Sequence, residues 1–93
     1  MKNNYDIYEL ISSNIKKYRK EKNLKQYELA NKSGYSYEYI RRIESTKAKK
    51  CFSIQTIDII SSALEIPTYK LFIFDNKIGK ESENNSEWVI KYL

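Results

Sequence analysis

Two arginines, two glutamates and three tyrosines crowd into the thirteen residues SGYSYEYIRRIES, from Ser33 to Ser45. Side chains of these types support recognition rather than turnover. A guanidinium is a planar fork of donors that meets a phosphate, or the O6 and N7 of a guanine, with two parallel hydrogen bonds. A carboxylate accepts from a cytosine amino group and is repelled by phosphates. A phenol packs on a thymine methyl or donates to a phosphate oxygen. Which of these roles each residue can take depends on which side chains share a face, and so on the element that carries them.

The stretch admits two readings. Tyr35, Tyr37 and Tyr39 alternate, as in a half-buried strand, whereas Ile40 and Ile43 stand three apart, as on a helix. A strand would put Arg41 on the face of the tyrosines and Arg42 on the face of Ile40, burying a charge either way. At about 100° per residue a helix instead groups Ile40 and Ile43 on one side and Glu38, Arg41, Arg42 and Ser45 on the other, with Tyr37 and Tyr39 on the flanks. Ser36 then serves as N-cap, Tyr35 and Ile40 as a hydrophobic staple, and Glu38 lies in the first turn, where the helix dipole favours a carboxylate. The spacing therefore predicts a helix over about 36–45.

Four further helices are expected around it. Asp6 and Glu9 have the spacing of a reciprocal cap, and Ile7, Leu10, Ile11, Ile15 and Tyr18 recur on one face, so the first helix runs from Ile7 to Lys22, with Asn23 as a left-handed stop. A second starts at Gln26, turns Leu29, Ala30 and Ser33 inward and stops at Gly34. Thr46 to Cys51 is a basic loop. Ser53 caps a fourth helix with Ile54, Ile57, Ile60, Ala63 and Leu64 inward, ending before Ile66-Pro67. A short fifth helix, Thr68 to Phe72, closes the core with Leu71 and Phe72. The stretch DNKIGKESENNSE (75–87) reads as a polar turn and linker, and EWVIKYL as an apolar tail.

Ninety-three residues suffice for one small core. Residues 1–50 carry 13 basic and 6 acidic side chains, net +7, against 4 and 6, net −2, in 51–93, so the first half favours a polyanion. With no histidine and a single cysteine, Cys51, the usual general base, the Cys/His nucleophile pair, the His/Cys zinc sites and an internal disulfide are all ruled out. No Gly-rich phosphate loop or paired-carboxylate motif is present. No enzyme activity, cofactor or metal is expected. The cysteine usage and the absence of a leader-like or membrane-spanning run point to a cytoplasmic chain.

The order of helix, short helix, glycine turn and third helix with a polar outer face is a helix-turn-helix arrangement, whose third element can lie in a DNA major groove. NIKKYRKEKNLKQYELANKSGYSYEYIRRIES, followed by IQTIDIISSALEIPTYKLF, resembles the lambda-repressor-like Cro/cI (XRE) helix-turn-helix family over about residues 8–74. The pattern L-x-Q-x-x-L-A…G…I-x-x-I-E is carried by Leu24, Gln26, Leu29, Ala30, Gly34, Ile40, Ile43 and Glu44. The resemblance implies an all-α, five-helix lambda-repressor-like domain over 1–74. It implies base readout by Tyr37, Glu38, Arg41 and Arg42, a phosphate contact by Gln26, and a structural ion pair between Arg19 and Glu44. Lys25, Ser36, Tyr39, Lys47, Lys49 and Lys50 are placed to follow the phosphates.

Lys25 stands where the family has a Ser or Thr cap, Thr46 where a glycine is common, and the loop before Ser53 is one or two residues longer than typical. The implied function is a sequence-specific transcriptional regulator, a homodimer on a palindromic operator, of a size that suits phage repressors or restriction-modification controllers. Tyr69, Phe72, Ile73 and Phe74, with Trp88, Val89, Ile90, Tyr92 and Leu93 of the 75–93 extension, are more apolar surface than five small helices need. That surplus fits a dimer interface, a tail folded back on its own core as strand or helix, or capture of a protein partner, as in an antitoxin.

Overall fold

The computed structural model describes residues 6–74. It is all-helical: α1 Ile7–Glu21, α2 Gln26–Ser33, α3 Tyr37–Glu44, α4 Ile54–Ala63 and a closing 3-10 helix, Thr68–Phe72, with no strand among the described residues. The fifth element is thus a 3-10 rather than an α-helix, consistent with the poor room for a full α turn in five residues held by Pro67 on one side. No helix among the described residues is long and apolar enough to cross a membrane.

The three stops that orient the helices are local. Asn23 adopts φ 58°, its N–H bonds to the Lys20 carbonyl and that of Leu24 to the Arg19 carbonyl, a Schellman ending that turns Leu24 back onto the core. Glu65, at φ 59°, ends α4 in the same way with Ile66 as the returning residue. Gly34, at φ 84°, gives its N–H to the Ala30 carbonyl and sets the sharp angle between α2 and α3.

Ile11, Ile15, Leu29, Ala30, Ile40, Ile43, Phe52, Ile57, Ile60, Leu64 and Leu71 form one core. Two residues expected inside are not: Ile54 is 76% exposed and Phe72 40%. Ile54 is the first helical residue after the Ser53 cap and precedes the turn of α4 that meets the core, and the 3-10 helix spends its inward position on Leu71. Phe52, unassigned by periodicity because it lies in a loop, is instead a core residue, edge-on to Tyr8 with centroids 5.2 Å apart at 81°. Asn14 is 1% exposed and gives both amide hydrogens to the closing 3-10 helix and the residue after it, at 2.8 Å to the carbonyls of Leu71 and Ile73. The Asp6–Glu9 cap is not reciprocal: Asp6 accepts from the Tyr8 N–H at 2.9 Å, while Glu9 turns to Lys50.

Candidate nucleic-acid interface

α3 follows Gly34 and begins on Ser36, whose Oγ accepts the Tyr39 N–H at 3.0 Å. Ile40 and Ile43 are buried at 0% and 2%, which leaves Tyr37, Glu38, Arg41 and Arg42 exposed on the opposite side. The outer face borders a concavity of about 430 Å³ lined by Ser36, Glu38, Tyr39, Arg41, Arg42, Ser45 and Ala48. Tyr35 and Tyr39 pack on each other at 4.8 Å and lie against the core, so Tyr39 is a half-buried flank.

The two arginines differ. Arg41 lies 3.2 and 3.3 Å from the Glu38 carboxylate oxygens and over the Tyr37 ring at 5.7 Å. The Arg42 side chain has no hydrogen-bond or ion-pair partner among the described residues. The exposed Glu38–Arg41 pair contributes only a few tenths of a kcal/mol, about 0.3–0.5, and opens easily for a better partner.

Behind α3 the charges are closed upon themselves. Arg19, 7% exposed, donates through Nε to Glu44 Oε2 at 2.7 Å, through Nη2 to Oε1 at 2.8 Å and through Nη1 to the Leu24 carbonyl at 2.8 Å. The pair ties α1 to the last residue of α3, facing away from the outer surface. Gln26, expected on a phosphate, gives its amide to Glu44 Oε1 at 3.1 Å, which orients the side chain and leaves its second N–H and its carbonyl oxygen without a partner among the described residues. Lys25 has no side-chain acceptor and makes no cap bond. Glu28 instead takes the Lys25 N–H at 2.7 Å, while the backbone N–H groups of Gln26 and Tyr27, in the first turn of α2, have no intrahelical partners. Tyr27 is 53% exposed there, a residue the family pattern did not single out.

The three loop lysines separate as well. Lys47 and Lys49 are exposed. The Lys50 side chain is 2% exposed and donates to Glu9 Oε2 at 2.7 Å and to the Ser45 carbonyl, so Lys50 is not displayed on the surface with Lys47 and Lys49. Tyr69 is exposed and Phe74 half-buried at the far end, whereas Trp88 and Ile90 lie outside the described residues. Cys51 Sγ stands 3.8 Å from Tyr8 Oη, and hydrogen bonding to the sulfur raises the phenol above its ordinary pKa. Among the described residues no cluster of three acidic, histidine or cysteine side chains could hold a metal.

A short helix braced from behind, a left-handed glycine turn and a second helix with an exposed basic face define a helix-turn-helix DNA-binding domain. A helix-turn-helix family model matches residues 15–71. Over 79 residues the chain is 32% identical to the transcriptional regulator SinR of Bacillus subtilis, spanning 85% of this chain and 70% of SinR. The crystal structure of SinR, the master regulator for biofilm formation, in complex with DNA superposes with a TM-score of 0.62 at 35% identity, covering 68% of this chain and 98% of that one. The restriction-modification controller protein C.AhdI from Aeromonas hydrophila superposes with a TM-score of 0.65 at 26% identity, covering 73% and 100%. The chain belongs to the Cro/cI-type (XRE) helix-turn-helix family of DNA-binding transcriptional regulators, which is not a family of enzymes.

Proposed function

We propose that the protein reads a specific operator by laying α3 in the major groove, as a homodimer on a palindromic site. The observation that carries this is the exposed Arg42 guanidinium, without a partner among the described residues, on the outer face of α3 opposite the buried Ile40 and Ile43. Arg42 is the principal reader, making a bidentate contact with a guanine. Glu38 and Arg41 read as a pair, the carboxylate excluding phosphates and accepting from a cytosine amino group while it steers the guanidinium. Tyr37 contacts a thymine methyl or a phosphate.

Lys47, Lys49, Ser36, Tyr39 and the amino end of α2, with Lys25, Gln26 and Tyr27, position the duplex through its phosphates. One short helix contacts few base pairs, so two copies with half-sites about 34 Å apart supply the remaining specificity. Tyr69, Phe72 and Ile73, 60%, 40% and 45% exposed, are the surface offered to the second copy. Selection of duplexes from a random pool tests the reading, and an inverted repeat with that half-site spacing is expected. A pool that shows no enrichment at about 0.1 M salt, where surface charges are only moderately screened, would reject it.

A further inference from the structure

The loop 45–53 is strapped to the first turn of α1 at three successive residues. Lys50 pairs with Glu9 at 2.7 Å, Cys51 reaches Tyr8 Oη at 3.8 Å, and Phe52 packs edge-on to the Tyr8 ring at 5.2 Å. Lys50 also donates to the carbonyl of Ser45, the C-cap residue of α3. Its ammonium therefore sits at the negative end of the α3 dipole, and its side chain is 2% exposed although the neighbouring Lys49 is exposed. Ser45 follows Arg42 by three residues, so the path of this last turn sets where the Arg42 guanidinium starts.

We infer that Lys50 is a positioning residue for base readout: by bridging the C-terminus of α3 to Glu9 of α1 it fixes the last turn of the recognition helix, and with it the aim of Arg42. The inference rests on the reading that α3 contacts base edges, and it gives one of three similar lysines a task opposite to the other two. A lysine on a phosphate contributes counterion release, seen as salt dependence. A lysine behind the helix contributes geometry, seen as base preference.

The experiment measures affinity for the selected operator and its single-base variants across a salt series, using the full chain with wild type, Lys50→Met, Glu9→Gln and Lys49→Ala. Lys50→Met keeps the buried stem and removes the ammonium; Glu9→Gln alters only the half-exposed end of the bridge, so a folded variant is secured. Lys50→Met is expected to weaken operator binding about tenfold, as loss of part of one bidentate contact does, and to flatten the preference at the base pair read by Arg42. Its salt slope should match wild type, and Glu9→Gln should move preference in the same direction by a smaller factor. Lys49→Ala should instead lower the slope by about one unit with preference intact. A slope lowered by about one unit in Lys50→Met makes Lys50 a phosphate contact and overturns the inference. So does wild-type preference in both bridge variants, whatever their thermal stability. Failure of the wild-type chain to select any duplex is read first and sinks the operator reading itself.

Discussion

Glu44 and Arg42 are two residues apart on α3 and live in different media. Glu44 is 5% exposed and accepts from Arg19 at 2.7 and 2.8 Å and from Gln26 at 3.1 Å. Arg42 is exposed, with no such partner among the described residues. A charge taken out of water needs fixed partners, and removing one of them leaves the other stranded. A charge left in water keeps its hydration and remains free to exchange it for a base edge or a phosphate. The back of the helix therefore spends its ionic groups on holding position, and the front holds them in reserve. The same division separates Lys50 from Lys47 and Lys49 in the loop that follows.

The comparison is broken most forcefully from behind. Glu44→Ala leaves the Arg19 guanidinium buried without its carboxylate and should cost about 3–5 kcal/mol in urea unfolding, against a typical total of about 5–15 for a domain. A loss below about 1 kcal/mol would mean that the pair behaves as a surface one. Next in size, Arg42→Ala should cost about 1–3 kcal/mol of discrimination at one or two operator positions, measured by competition with single-base variants, and leave stability nearly unchanged. Glu38→Gln sharpens the contrast in the other direction. With its carboxylate gone, Arg41 is released to phosphates, so nonspecific affinity should rise and the salt slope steepen by up to about one unit. Lys49→Ala has the opposite sign and a comparable size, a flattening of that slope by about one unit with all sequences weakened alike.

Much of the architecture was legible because it is written in local chemistry. Ser36 and Ser53 cap α3 and α4, Asn23 and Gly34 carry the left-handed stops, and Ile40 with Ile43 mark the inner stripe of α3. Pairings across the fold were not legible from pattern alone. Nothing within the run KAKK distinguishes Lys50 from Lys49; the distinction arises because the strapped loop brings Lys50 against Glu9, 41 residues earlier. Asn14 likewise has no partner visible in the sequence; Leu71 and Ile73, 57 and 59 residues later, supply the two carbonyls its amide meets. Periodicity also overreached at Ile54 and Phe72, whose spacing is right but whose place at an element's edge leaves them exposed, without a described neighbour to cover them. The outer face of α3 was readable as a surface, and its division into a self-paired Arg41 and an open Arg42 required coordinates.

The Asn14 contact also bears on how such a protein is measured. It closes the end of the described fold with a neutral amide, and neutral hydrogen bonds neither titrate near neutral pH nor lose strength by ionic screening. Salt strong enough to release a bound duplex leaves that closure in place. A salt titration of this chain should accordingly report release of DNA from a folded domain, and a far-ultraviolet spectrum recorded along the same series should stay flat.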